Sequence, residues 1–284
     1  MSNLSGKKQP PPQLRAVPPV SVEAQDTGNR VARVLGGAVS FGYYGAISLA
    51  LGYAILPLQR LAARAFGWRG DPQLAAQREI HRLTRSWLWL SEAVGGCRVR
   101  FHHAERLRRD SLLIVANHPS LADSPMLTSQ LPEADFVVSS SWTRNPILGR
   151  TIRAAGYLRE DSGTALIREA VSRLRAGRRV VMYPEGARTT AEGLGAFHRG
   201  VAHIALRAGC DIQPVVIHVR PRTLIKGESV LDMPPQIPQF DFEVGEPWRA
   251  EDLQRPGEGR SDAARRITAE LRDHFQKRWE RGCH

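Results

Sequence analysis

Two short blocks of this sequence hold residue types that could do chemistry together. In the first, Asn117-His118-Pro119-Ser120-Leu121-Ala122-Asp123 follows directly on the apolar run Leu112–Ala116. A histidine at a strand's end, with an aspartate five residues on at the opening of a helix, makes a workable pair. The turn would bring the carboxylate to one ring nitrogen and leave the other to take a proton from a hydroxyl. The carboxylate would also fix the tautomer and stabilise the imidazolium formed in transfer. The same spacing occurs as a simple helix cap. In the second block, Pro184-Glu185-Gly186-Ala187-Arg188 follows the run Val180–Tyr183. Gly186 would let backbone approach a ligand closely, and Arg188 could fork onto a phosphate. Glu185 beside Arg188 could equally be a structural ion pair.

Charge gathers around these blocks. The 284-residue chain carries 40 Lys+Arg against 28 Asp+Glu, a net +12, and only Lys7, Lys8, Lys226 and Lys277 are lysines. Between Ser139 and Gly200, eleven arginines face five acids, an excess of 11 − 5 = +6 that is half the total. Arginine forks suit anions, so the balance points to a nucleic acid, a lipid headgroup or a phosphorylated cofactor. The three cysteines, Cys97, Cys210 and Cys283, lie far apart. That spacing excludes a disulfide framework and argues against a zinc ribbon or thiol redox site.

The elements that must position the blocks are legible from periodicity. Strands are expected at Cys97–Phe101, Leu112–Ala116, Phe136–Val138, Val180–Tyr183, Ile212–Val219 and Phe240–Val244. Helices are expected at Ala122–Gln130, Pro146–Ala155, Ala165–Arg175 and Gly200–Ala208, with Gly177 and Gly209 as stops. Strands alternating with helices predict an α/β layered sheet with helices on its faces and the site in its loops. Asp71 and Pro72 open an amphipathic helix that carries Ile80, Leu83, Trp87 and Leu90 and stops at Gly95-Gly96. Its Trp87 and Trp89 would lie at a lipid interface or pack on the domain. A terminal helix, Ser261–Arg281, carries Ile267, Leu271, Phe275 and Trp279 on one stripe.

The organisation expected is a Pro-rich disordered tail at 1–30, a membrane-anchor segment at 31–70, a catalytic domain at 71–250 and an amphipathic helix at 251–284. No residue from Val34 to Gln59 is charged. A run of that length can enter a bilayer, whether as a span or a shallower insertion, and it begins too late for an ordinary signal peptide. A buried core helix is the plainer alternative.

Taken together and in this order, about 65 residues apart, the two blocks resemble the lysophospholipid acyltransferase family. That family carries N-H-x4-D, a glycine-led block ending in a basic residue, [FY]-P-E-G-T-R and a proline-centred hydrophobic strand. Here these are Asn117–Asp123, Gly156-Tyr157-Leu158-Arg159, Tyr183–Arg188 and Ile212-Gln213-Pro214-Val215-Val216-Ile217. The resemblance implies acyl transfer from acyl-CoA or acyl-carrier protein to an acceptor such as 1-acyl-glycerol-3-phosphate, with no other cofactor and no metal. It casts His118 as general base and Asp123 as its orienting partner. Arg159, Glu185, Gly186 and Arg188 would contact substrate. Membrane lipids are the implied partners and nucleic acid is not expected. The bacterial inner membrane is the implied location, with the catalytic domain in the cytoplasm where acyl thioesters are made.

The acceptor blocks depart from the pattern of lysophosphatidate-acting members. Ala187 replaces threonine, Ser162 stands where an arginine is usual, and Ser139, Ser140 and Ser141 stand where lysines are common. These drifts leave a specialised lipid, such as an aryl polyene lipid, as an alternative acceptor. A hydrolase using an unidentified serine is a rival within enzymes, although G-x-S-x-G is absent. A basic membrane- or nucleic-acid-binding protein without catalysis is the rival outside them. His198 and His203, five apart on an expected helix, read as packing or surface residues.

Overall fold

A run of apolar residues becomes one long helix when no charge or helix-breaking cap interrupts it, and this is how the described part of the chain begins. The computed structural model describes residues 30–282 apart from 191, 192, 230, 231, 233 and 235, so the expected Pro-rich tail and Cys283 lie outside the described residues. Helix α1 (Arg30–Ala50) passes through one π-helical turn (Leu51–Ile55) into α2 (Leu56–Ala65), and Pro57, which has no N–H to donate, follows directly on that widened turn. The stretch Val34–Ala65 is long and apolar enough to cross a membrane, and 28% of its most apolar window is buried in the molecule. One face packs on α3 (Pro72–Ala93), where Phe41 and Tyr44 lie against Trp87 at ring distances of 5.8 and 5.2 Å. The other face leaves Leu35, Val39, Leu49, Leu58, Leu61 and Phe66 exposed.

The opening of α3 is set by Asp71, whose side chain accepts from Gln73 N at 2.7 Å. Its two tryptophans part company. Trp87 is buried in the core, while Trp89 is 70% exposed, so the interfacial expectation fails for the first.

Beyond α3 the chain alternates as expected. It runs β1 (Arg98–His102), β2 (Leu113–Ala116), α4 (Asp123–Thr128), β3 (Asp135–Val138), α5 (Ser140–Arg144), α6 (Gly149–Ala154), β4 (Leu158–Arg159) and α7 (Thr164–Arg175). Then come β5 (Val180–Met182), α8 (Gly200–Ala208), β6 (Ile212–Arg220), β7 (Gln239–Val244) and α9 (Arg260–Gly282). The sheet order is β1-β7-β6-β2-β5-β3-β4. Every pairing is parallel except β6 with β7. Strand β4 and helix α5 were not expected. Strand β4 is two residues long, with Val137 against Leu158 and Val138 against Arg159, too short to show a periodicity.

Alternation along β2 divides the core. Leu113 and Val115 face a layer built by α7, α8 and α9, and Ile114 and Ala116 face the layer that holds Trp87, Met126 and Phe136. The terminal helix is a wall of the first layer: Ile267, Leu271, Phe275 and Trp279 are all buried in it, and Phe275 meets Phe197 edge-on at 5.4 Å. The division at residue 250 is therefore not a break in packing. Phe275→Ala should lower unfolding free energy by about 3–5 kcal/mol through lost burial and the cavity left behind. Denaturant titration of the purified protein checks this. An unchanged midpoint would show that the helix is only appended.

Candidate active site

Four neighbouring parallel strands, β2, β5, β3 and β4, deliver their following loops to one end of the sheet, the usual place for a site in an α/β fold. His118 follows β2, Tyr183–Arg188 follows β5, Ser139 follows β3 and Glu160 follows β4. All four regions line a cavity of about 670 Å³. Its deeper wall is apolar, with Phe41, Ile80, Leu83, Trp87, Phe136 and Tyr157 contributed by α1, α3, β3 and the turn before β4.

Asn117 decides where the histidine points. Fully buried, it accepts from Ile217 N at 2.7 Å and donates to Ile217 O at 2.9 Å. It thus acts as a strand partner at the point where β2 leaves the sheet, and the next residue is sent out of the ladder. His118 then places Nδ1 2.8 and 3.0 Å from the two carboxylate oxygens of Asp123. Asp123 is wholly buried at the start of α4 and also accepts from Ser120 N at 3.0 Å. One carboxylate thus binds both the imidazole and the turn backbone, while α4 has no side-chain cap. Among the described residues His118 Nε2 has no partner, and the ring lies on the cavity wall.

The second block holds the first in place. Glu185 accepts from His118 N at 3.1 Å, Thr189 Oγ1 at 2.8 Å and Gly195 N at 2.9 Å, rather than pairing with Arg188. Thr189 N in turn donates to His118 O at 2.7 Å. Arg188 reaches across to donate Nη1 to the carbonyls of Leu224 and Ile225, each at 2.9 Å. Gly186 has φ +65°, and a Cβ there would stand 3.3 Å from the His198 ring, so both backbone and space favour glycine. His198, read from the sequence as a packing or surface residue, lies on the cavity wall.

The tyrosine of this block is a contributor that spacing did not reveal. Its ring stacks on the His118 imidazole with centroids 4.4 Å apart, and its hydroxyl lies 2.9 Å from Ser124 Oγ. That serine oxygen lies 3.3 Å from Asp123 Oδ1, closing a polar chain behind the histidine. Burial, together with the nearby Asp123 charge, holds the Tyr183 phenol well above its ordinary range, so it stays protonated. No rule of spacing links residues 124 and 183; only the adjacency of β2 and β5 does.

Arg159 lies elsewhere. It forms a two-pronged pair with Asp161 at 2.9 and 3.1 Å, stays exposed and is not among the cavity-lining residues. Much of the arginine excess is likewise used by the fold. Arg173 and Arg178 bind the buried Asp135, Arg179 binds carbonyls of Arg108 and Arg109, and Arg150 lies over the Tyr53 ring. The charge count alone thus overstated the anionic character of the ligand. Cys97 and Cys210 are buried and free, with burial pushing each thiol up to about 12. Among the described residues no group of three His, Cys, Asp or Glu is placed to hold a metal ion.

Electrostatics favour a histidine that gains and returns a proton. Burial opposes its charged form and Arg188 adds to that. The Asp123 charge and hydrogen bond, with Glu185 beyond, outweigh both and hold His118 above its ordinary value of 6.5. A strand-end imidazole oriented by a buried carboxylate and facing an apolar cavity has the geometry that proton transfer to and from a bound hydroxyl requires.

Comparison with known proteins agrees. Residues 98–218 match the Acyltransferase family model, a segment that contains both blocks. The lyso-ornithine lipid O-acyltransferase of Pseudomonas aeruginosa is 34% identical over 143 residues, which cover 49% of this chain. The chain spans about half the length of that relative, 54% of it. The crystal structure of the 1-acyl-sn-glycerophosphate (LPA) acyltransferase PlsC from Thermotoga maritima shares the fold. It superposes with a TM-score of 0.58 at 19% identity, over 86% of this chain and 97% of that one. Residues 98–218 of the chain are thus similar to the Acyltransferase family, and the fold is that of the PlsC structure.

Two outcomes test the site. Asp123→Asn removes the main influence that raises His118, so the acid limb of kcat/KM should move to lower pH while the plateau falls about 10²–10⁴-fold. A pH–rate profile of both proteins checks this. Asn117→Ala leaves both polar groups of Ile217 unpaired and should cost roughly 2–4 kcal/mol of stability, read by denaturant unfolding.

Proposed function

We propose that this protein is a membrane-associated O-acyltransferase that moves a fatty acyl group from acyl-CoA or acyl-carrier protein to a hydroxyl of a lyso-lipid. The observation that carries this reading is the pairing of His118 and Asp123 at the mouth of an apolar cavity walled by α1 and α3. That cavity suits an acyl chain, and the exposed apolar face of the α1–α2 helix suits a bilayer. The reading places the protein at the bacterial inner membrane with the catalytic domain on the cytoplasmic side.

In this mechanism neutral His118 takes the acceptor's hydroxyl proton on Nε2 as that oxygen attacks the thioester carbon. Asp123 holds the ring and balances the imidazolium. The tetrahedral intermediate collapses with cleavage of the carbon–sulfur bond. The departing thiolate takes the proton back from His118, which returns to its neutral form. A thiolate is a good leaving group, so one base and a few hydrogen-bond donors suffice. Arg188 and Gly186 border the reacting centre. Glu185 acts on it through the His118 backbone. Arg159, turned onto Asp161, would act on substrate only if that pair opened.

For the acceptor, the similarity to the Pseudomonas enzyme favours a lyso-ornithine lipid over 1-acyl-glycerol-3-phosphate. The drifted acceptor blocks, with Ala187 and Ser162, support the same choice. Membranes containing the protein, given radiolabelled acyl-CoA or acyl-carrier protein and each acceptor in parallel, test this. Label should enter the ornithine lipid, and His118→Ala should reduce it about 10²–10⁴-fold. Undiminished transfer by His118→Ala would contradict the mechanism. Faster labelling of 1-acyl-glycerol-3-phosphate would contradict the acceptor.

A further inference from the structure

Among the described residues, the cavity is lined by one carboxylate, Glu160, one guanidinium, Arg188, and two imidazoles, His118 and His198. Arg188 already holds the Leu224 and Ile225 carbonyls. Glu160 is different. It stands at the end of β4 with no hydrogen bond or ion pair in the described structure, although it sits in the triplet Arg159-Glu160-Asp161. The reason is that its two neighbours neutralise each other. Arg159 Nε and Nη2 both donate to the Asp161 carboxylate, turning the only adjacent cation away.

Two nearby arginines that do not line the cavity are engaged as well. Arg150 lies over the Tyr53 ring at 4.1 Å, and Arg153 donates to the Thr143 carbonyl. The remaining polar side chains lining the cavity next to β3 and β4 are neutral, among them Ser139, Asn145 and Tyr157. The β4 side of the cavity therefore presents one uncompensated carboxylate. A phosphate monoester would meet like charge there, whereas an ammonium group would find a counter-ion.

We infer that Glu160 is a specificity-determining subsite that binds the ammonium of an amine-bearing lyso-lipid headgroup. The inference rests on the acyl-transfer reading and names the acceptor chemistry that this reading requires. Scale agrees with it. Strands β2 and β4 are three places apart in the sheet, roughly 14 Å at the usual strand spacing. Glu160 and His118 line the same cavity from those two strand ends, a separation that suits an acceptor with several bonds between its hydroxyl and its ammonium. An ornithine acylated on one amine keeps one ammonium and fits this class.

Binding and turnover separate the inference from the reading beneath it. His118→Ala protein in lipid nanodiscs is titrated with three probes: a short-chain lyso-ornithine lipid, its N-acetylated derivative and lysophosphatidate. Adding Glu160→Gln should weaken lyso-ornithine lipid binding about fivefold to tenfold. It should leave the N-acetylated lipid, which has lost its ammonium, bound equally by both forms. Glu160→Arg should strengthen lysophosphatidate binding by a similar factor. Equal lyso-ornithine lipid affinity with glutamate or glutamine at position 160 would overturn the inference, whatever the enzyme turns over. In otherwise native protein, Glu160→Gln should raise KM for the lyso-ornithine lipid while kcat stays within twofold. A fall in kcat alone would also overturn it, because a headgroup subsite acts on binding. Failure of His118-dependent transfer to any lyso-lipid would instead strike the acyl-transfer reading.

Discussion

The contact between the Asp123 carboxylate and His118 Nδ1 is the constraint around which the rest of the site is arranged. A fully buried aspartate is costly unless its oxygens are satisfied, and this one is met by an imidazole, the Ser120 backbone N–H and the Ser124 hydroxyl. Each of those donors depends on the turn between β2 and α4 keeping its shape. Asn117 secures the turn on one side by imitating a strand against Ile217. Glu185 and Thr189 secure it on the other by binding the His118 backbone at both ends. The two sequence blocks, 60-odd residues apart, are in this sense one structural unit, joined because β2 and β5 are neighbours in the sheet.

The same unit touches the long apolar helix through packing. The Trp87 side chain is enclosed by Phe41 and Tyr44 of α1, and all three line the cavity that His118 borders. Farther along the helix, Gly52 in the π-helical turn lets α6 come close, where a Cβ would stand 2.9 Å from Thr151 Oγ1. That hydroxyl binds the Ser48 carbonyl at 3.3 Å. The apolar helix is thus more than an attached segment: one face completes the cavity, and the other is exposed.

How much of this was legible in the sequence follows from the range of each interaction. The six longer strands and the helices that flank them were readable because their hydrophobic periods are local. His118 and Asp123 were readable because a single turn joins them. Strand β4 carried too few residues to show a period, and α9 showed its apolar stripe but not its partners, Phe197 and the α8 face, which are far away in sequence. Tyr183, Ser124 and His198 entered the site only through strand adjacency. The arginine count misled for the same reason. Whether a guanidinium faces a ligand or a buried aspartate such as Asp135 depends on contacts that composition does not record.

The account turns on the protonation and tautomer of one ring. Nitrogen-15 NMR of protein labelled at histidine, with His118→Gln as the assignment control, reads both as pH is varied. The account predicts a His118 titration above 6.5 and, in the neutral form, a proton on Nδ1 facing Asp123 with Nε2 bare. A titration at or below 6.5, or a neutral ring protonated on Nε2, would contradict it.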